Sequence, residues 1–372
     1  MNQLIWHGPF AGQSGYEVMT RAMLIELDKM GVCIALDEST TWNREKISLD
    51  EDVARRLQRM MNQKVQPGTP AIMHQRAQQR LLDRLPADCK RYIYTLFETD
   101  RLPEPWEKEL QAVDGVFTFS NFNRDLWAQN SGLDKDRIHI LPWGIEKEFK
   151  VDGLKANILN KKEFTFIANG DFTERKNFEV LLEAFTKEFK ANEDVCLVLK
   201  THYGGFGMQQ RRRLVSRLKE LSTSWVANPP KILFFGDKVT TPDIANLYRA
   251  CDCLVLPSRG EGLGLPVLEA MACGLPIIAT NWSSLSELGF QGHNLSYTLE
   301  QISSVDYIRK CPEALNHKWA SVDVEELRKA MRHMFTNKEE AKAMGLANAE
   351  TAKARTWHDA AVKILKVIGG EQ

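Results

Sequence analysis

Net charge is the first thing this chain lacks: 49 Lys and Arg balance 49 Asp and Glu, for a formal charge of zero. Without a global field there is no footprint for nucleic acid or an anionic membrane, and no nucleic-acid partner is expected. Nor is there a run of the roughly eighteen apolar residues that a spanning helix needs. Met1-Asn-Gln3 leads straight into an apolar stretch, an arrangement that leaves no room for a signal peptide. Paired cysteines are missing too. The seven present are odd in number and scattered, and Cys251 and Cys253, flanking Asp252, sit too close for a metal finger and read as buried thiols. A reducing, cytoplasmic setting is expected. No Gly-x-x-x-x-Gly-Lys-Ser/Thr loop occurs, so ATP hydrolysis by that route is not indicated. Short repeats and low-complexity tracts are absent as well.

What is present is an ordinary globular composition, 43% hydrophobic and 26% charged, in 372 residues, enough for about two to three domains. Apolar strands are predicted at residues 4–7, 32–36, 71–73, 92–97, 115–119 and 138–141, with helices over 16–30 and 121–130. A second series follows at 164–168, 195–200, 231–235, 253–256 and 276–279. Pro142-Trp-Gly-Ile145 and the polar residues 146–162 form the connection. Such alternation argues for two α/β domains with parallel sheets, which bind ligands at the carboxyl ends of their strands.

The run from Ser258 to Thr280 concentrates the chemistry. Glu261 and Glu269 lie eight positions apart across a Gly-rich turn, after one apolar strand and before another. Gly262 and Gly264 allow close approach of the main chain to a ligand, and Pro266 suits the start of a helix. Strand, glycine turn and helix present backbone N–H groups to a phosphate. One acid can then face a sugar ring and the other a ribose diol. The bland alternative, an amphipathic helix with solvated acids, leaves the paired glycines without a purpose. Gly170-Asp-Phe-Thr-Glu-Arg-Lys-Asn177 supplies cations just before a second helix, where basic residues oppose the helix dipole and ask for an anionic partner.

The full string around Glu261, from Pro257-Ser258 through Glu269-Ala-Met-Ala-Cys-Gly274, resembles the signature of the retaining GT-B glycosyltransferases of the family-4 type, glycosyl transferases group 1. The resemblance is dense over residues 160–290 and patchier before 150. It implies two doubly wound, Rossmann-like domains facing a cleft. An acceptor-side domain would span residues 1–145, with a C-terminal helix over 356–372 crossing back to it, and a nucleotide-sugar-binding domain would span 146–355. For that helix, Thr356 reads as the N-cap with Asp359 three residues on.

By the same resemblance the activity is hexosyl transfer from a UDP- or GDP-linked sugar to an acceptor hydroxyl with retention of anomeric configuration, without a metal. Lys176 matches the family's phosphate lysine, and Arg175 becomes the second cation because Asp171 stands where many members have arginine. Glu261 would position the sugar and Glu269 the ribose, with Gly262, Leu263, Gly264 and Leu265 lining the donor. Gly12 and Gly15, in the loop Gly8-Pro-Phe-Ala-Gly-Gln-Ser-Gly15, resemble the N-terminal glycine loop that brackets the diphosphate. Lys238 and Val239 match residues that touch the nucleobase, and Lys200 reaches the same region or stays at the surface. Tyr94-Thr-Leu-Phe-Glu-Thr-Asp-Arg-Leu-Pro103 matches a subgroup. In it Glu98 would orient or deprotonate the acceptor hydroxyl, or else cap the next helix.

No residue reads as a covalent nucleophile, so front-face displacement is expected. Asp50-Glu-Asp52 and Asp134-Lys-Asp136 do not follow apolar strands and read as solvated, not as metal ligands. The acceptor, a glycan, a lipid-linked molecule or a protein, is not readable. Two basic clusters, Arg211 to Arg213 with Arg217 and Arg76, Arg80 and Arg84, read as solvated helix faces, with weak peripheral membrane contact as the other reading. A silent nucleotide-sugar-binding scaffold subunit, and an epimerase or phosphorylase on the same fold, stay open as alternatives.

Overall fold

The computed structural model describes residues 3–12, 14–38, 47, 49–75, 82–202, 207–237 and 239–370. Arg76, Arg80 and Lys238 fall outside them. The chain divides into two compact units, Met1–Gly144 with Arg355–Gln372, and Ile145–Ala354.

The first unit is a six-stranded sheet built from β1 (Gln3–Gly8), β2 (Cys33–Glu38), β3 (Ala71–His74), β4 (Arg91–Tyr94), β5 (Gly115–Thr118) and β6 (Ile138–Ile140). Every pairing is parallel, in the order β2-β1-β3-β4-β5-β6. Helices α1 (Gly15–Lys29), α2 (Glu51–Met61), α3 (Glu104–Gln111) and α4 (Asn121–Ser131) connect the strands. β3, β5 and most of β4 are buried along their length, as strands covered on both faces must be.

The second unit repeats the plan with β7 (Phe164–Asp171), α5 (Phe178–Glu188), β8 (Val195–His202), α6 (Met208–Ser224), β9 (Lys231–Phe235), α7 (Thr241–Arg249), β10 (Cys253–Leu256), α8 (Leu265–Ala272), β11 (Ile277–Thr280) and β12 (Gly292–Leu295). The parallel order β12-β11-β10-β7-β8-β9 is that of a doubly wound dinucleotide-binding sheet. An antiparallel hairpin of β13 (Thr298–Gln301) and β14 (Lys318–Ser321) encloses the short α9 (Val305–Lys310), and α10 (Val324–Thr336) and α11 (Lys338–Lys353) follow. The core of this unit gathers Phe164, Phe166, Phe185 and Phe189 with aliphatic residues of both sheet and helices.

The last helix, α12 (Trp357–Gly369), belongs to the first unit and packs on α1. Its N-cap Thr356 accepts from the Asp359 amide. A Cβ on Gly144 would stand 2.2 Å from the Trp357 nitrogen, so only glycine lets the two segments meet here.

Several boundaries differ from the sequence reading. β4 stops at Tyr94 and not at Phe97, because the Thr95 amide still bonds Phe117 O but the Phe97 amide turns to the Asn123 side chain. β7 and β8 run on to Asp171 and His202 as a polar continuation of apolar strands. β12, β13 and β14 lack a continuous apolar signal, and β13 is exposed throughout.

Candidate active site

In an open α/β sheet the crevice lies where successive connections leave toward opposite sides. In the second unit that point falls between β7 and β10. The segments leaving those two strands are residues 172–177 and 257–264, so the cation-bearing string and the glycine turn are brought together by topology. They are stitched at the main chain: the Arg259 amide donates to Arg175 O at 2.7 Å.

Glu261 is the hub. It is 5% exposed, and its Oε1 accepts from Lys176 Nζ at 2.6 Å and from Ser258 Oγ at 2.6 Å. Its Oε2 accepts from Arg175 Nη1 at 3.2 Å, and the same guanidinium donates to Gly260 O at 2.5 Å. Behind it, Ser283 Oγ accepts from the Glu261 amide at 3.0 Å, and Ser284 Oγ donates to the Glu261 carbonyl at 2.7 Å. Burial alone would raise this carboxyl; Lys176 first, then Arg175 and Ser258, overcome it and hold the pKa at about 2. A carboxylate so enclosed is ionised and fixed, and it holds two cations beside it.

Gly264 takes a left-handed conformation, φ 87°, before the first residue of α8, and a Cβ there would meet Leu285 at 2.6 Å. No side chain caps α8, Pro266 has no N–H and the Val267 amide donates to Gly264 O at 2.9 Å, so Leu265, just after the turn of Gly262, Leu263 and Gly264, carries the first-turn amide left for a ligand. One turn along, Glu269 Oε2 accepts from Tyr248 Oη at 3.1 Å, and Asn169 Nδ2 donates to that same hydroxyl at 2.8 Å. Glu269 remains partly exposed. Burial, then the Glu146 carboxylate, pushes its pKa up to about 7, so the two acids of one motif sit in opposite protonation environments.

The β7–β8 register sets Asp171 opposite His202, and His202 Nε2 lies 2.9 Å from Asp171 Oδ1. Asp171 thus occupies the strand end with a partner of its own. Lys200, two residues back on β8, is buried at 5% exposure, and burial lowers its pKa against the pull of Asp171 and Asp237. Val239 lies just before α7 and is half-buried.

Glu98, Gly12 and Gly15 belong to the first unit. Glu98 is half-buried in the segment after β4. The helix after it, α3, has Pro103 at its N-cap, whose side chain makes no cap bond. The Gly8–Gly15 loop is tied down at both sides. Ser14 and Glu17 form a reciprocal capping box on α1, and Arg21 Nη1 donates to Phe10 O at 2.5 Å and Gly12 O at 2.6 Å. Of the Asp-x-Asp triplets, Asp50 caps α2 and Asp134 caps a short 3-10 turn, each by accepting backbone amides. Cys251 and Cys253 are buried thiols, their pKa values raised chiefly by burial.

Sequence reasoning gave no role to Ser258, Tyr248, Asn169, Ser283 or Ser284. Ser258 and Tyr248 lay inside the quoted strings, but their partners are set by tertiary folding. Nothing local marks Asn169 as a donor to Tyr248.

Residues 161–316, which hold this whole constellation, match the family model described as Glycosyl transferases group 1. That segment, less than half of the chain, is similar to the family. Its curated relatives include D-inositol 3-phosphate glycosyltransferase of Pseudarthrobacter chlorophenolicus, 29% identical over 53% of this chain and 48% of that protein. Another is lipopolysaccharide core biosynthesis mannosyltransferase LpsB of Rhizobium meliloti, 50% identical over 16% of each. The chain spans about half the length of the first of these. Among solved structures, a glycosyltransferase from Rickettsia africae superposes over 100% of both chains with TM-score 0.67 at 17% identity. Sucrose-phosphate synthase from Thermosynechococcus elongatus covers 100% of this chain and 99% of its own, with TM-score 0.68 and 15% identity. Anabaena HepE, solved with UDP and glucose, covers 100% of both with TM-score 0.65 and 12% identity. At these identities the likeness is one of fold: the group 1 domain and its companion have the GT-B architecture of two parallel α/β units.

Proposed function

We propose that this protein transfers a hexose from a nucleotide sugar to an acceptor hydroxyl, with retention at the anomeric carbon and without a metal. The observation that carries the reading is the cluster of buried Glu261 and Lys176 with partly exposed Arg175 at the β7/β10 switch point, beside the uncapped start of α8. In the reaction the bond from the anomeric carbon to the diphosphate oxygen breaks, and negative charge grows on that oxygen. Lys176 and Arg175, released in part from Glu261, meet that charge together with the Leu265 amide that opens α8. Glu261 then keeps the cations aligned and faces the sugar. Glu269, steadied by Tyr248, accepts from the ribose hydroxyls. The acceptor oxygen bonds to the anomeric carbon from the face the diphosphate leaves, and its proton passes to the departing phosphate oxygen.

The use of Asp50 and Asp134 as helix caps supports a metal-free reading, as does the supply of two cations by the chain itself. A UDP-linked donor draws support from HepE, solved with UDP and glucose, and a mannosyl donor from the similarity to the mannosyltransferase LpsB. Lys200 and Val239, with Lys238, are assigned to the nucleobase end. Glu98 and the loop with Gly12 and Gly15 are assigned to acceptor and diphosphate from the sequence resemblance. A glycan acceptor and a cytoplasmic location, with peripheral membrane contact, complete the proposal; no helix among the described residues is long and apolar enough to cross a membrane.

The deciding experiment incubates the full chain with UDP- and GDP-hexoses, with acceptors and excess chelator, and measures released nucleoside diphosphate and product anomer by proton NMR. Release with a retained anomer is expected. Nucleotide binding without release from any donor would overturn transfer in favour of a silent scaffold subunit.

A further inference from the structure

A cavity of about 850 Å³ opens on the flank of the second unit, between the first turn of α5, the basic face of α6 and the segment that opens α9. Its walls carry Arg213, Arg217 and Arg259 beside the rings of Phe172 and Tyr307. The triad of the candidate active site is absent from its lining. Glu174 faces the cavity, and its neighbours Arg175 and Lys176 turn to Glu261.

The three arginines are not equally engaged. Arg217 is neutralised by Glu179 at 2.8 Å and Glu220 at 3.0 Å. Arg259 stacks over Trp319 at 5.3 Å and reaches Glu300 at 3.4 Å, yet its Nε is buried with no hydrogen-bond partner. Arg213 has no ion pair among the described residues, whereas Arg211 on the same helix is bonded to Asp237. Arg211 and Arg217 are thus engaged by acids, and Arg213, exposed at the cavity wall, is left able to take an anion. The buried Arg259 Nε–H, without an acceptor, asks for an oxygen, and the Arg213 guanidinium offers a planar fork to an anionic one. Phe172 stacks on Phe178 at 5.5 Å and is half-exposed, as is Tyr307, so ring surface remains for the apolar face of a pyranose. The volume is that of a small-ligand site, apolar with a few directed polar groups.

We propose that this cavity binds an anionic sugar, a pyranose bearing a phosphate or a carboxylate, with the acid group on Arg213 and Arg259 and the ring against Phe172 and Tyr307. The site stands independently of the transfer reaction proposed above. Its wall is continuous with the loop that holds Arg175, because Arg259 N bonds Arg175 O.

Titration calorimetry of the full chain with mannose 6-phosphate, glucuronate and mannose tests it. Saturable binding of at least one of the two acids is expected, with mannose at least about tenfold weaker. Binding of mannose 6-phosphate alone assigns the ligand as a sugar phosphate, of glucuronate alone as a uronic acid, and of both as either. Arg213→Glu, a change at an exposed position, should weaken the acid about tenfold or more, and Val305→Trp, at the mouth, should block it. Lys176→Ala should leave that affinity within about twofold, which separates this cavity from the switch-point cations. No saturable binding below about 10 mM, equal binding of mannose, or a loss with Lys176→Ala and not with Arg213→Glu would each overturn the proposal.

Discussion

At the carboxyl edge of the first sheet the chain spends an arginine, Arg21, on its own loop carbonyls and seals His74 against Tyr94, with the ring centroids 4.4 Å apart. Burial pushes the His74 pKa down to about 3, so that edge is neutral at its centre. At the equivalent edge of the second sheet, Lys176 and Arg175 converge on one buried carboxylate. Two sheets of the same strand number and pairing sense, though of different strand order, therefore carry opposite chemistry on their loops. Architecture fixes where a ligand sits, and loop chemistry decides which ligand.

The largest expected effect breaks the first unit alone. Removing residues 355–372 strips α12 from α1 and leaves the Gly144 segment without Trp357. Calorimetry should then show the first unit's transition lost, with that of the second retained; a single transition at the original temperature would refute the division.

Next comes the charged edge. Lys176→Ala should cost on the order of 10²–10³ in turnover, the usual penalty for losing a preorganised electrostatic stabiliser. His74→Gln, at the neutral edge, should change turnover far less. Equal losses in the steady-state rates of the two variants would erase the contrast.

The two glutamates provide a finer comparison. Glu269→Ala should weaken nucleotide binding by about 1–3 kcal/mol through loss of charged hydrogen bonds, read by calorimetry, whereas Glu261→Ala should act on turnover. Their titrations also diverge. An ordinary glutamate loses its proton near about 4.3. Glu269, with a folded pKa of about 7, binds its proton more tightly in the fold, so its contribution to stability is present at acid pH and lost as pH rises toward 7. On the role proposed for Glu269, ribose is bound by the ionised form, so nucleotide affinity should climb through neutrality and flatten in Glu269→Gln. Glu261, at about 2, stays ionised across that range; its contribution disappears only as pH falls below the ordinary glutamate value toward 2. A Glu269→Gln profile as steep as that of the wild type would contradict this assignment.

The smallest effect concerns the caps. Asp50→Ala should cost about 0.5–2 kcal/mol of stability through the lost N-cap of α2, and leave turnover unchanged with or without magnesium. Magnesium-dependent loss of activity in that variant would reopen a metal role.

The parallel α/β architecture was legible because buried strands such as Val195 to Leu199 are apolar on both faces and announce themselves without context. The glycine turn at 262–264 was legible for the same reason, since a left-handed residue before a helix leaves a mark in composition. Strand ends were less so. Phe97 is apolar and buried like the strand before it, and only the side chain of Asn123, 26 residues away, takes its amide out of the sheet. Pairing of Glu261 with Ser258 is local. Its bonds to Lys176 and Arg175 span 85 and 86 residues and follow from strand order, which periodicity does not encode. The hairpin of β13 and β14 escaped because an exposed, mixed-polarity strand has no alternation to read.

The return of α12 to the first unit bears on the order in which the chain acquires structure during synthesis. Domains ordinarily fold from the amino end as they leave the ribosome. Here residues 1–144 emerge first but lack the helix that covers α1, while residues 145–354 are complete as soon as they are made. The second unit can therefore settle first, and the face of α1 that receives α12 waits uncovered through the translation of more than two hundred residues. A nascent chain stalled shortly after residue 354 would present that face to chaperones.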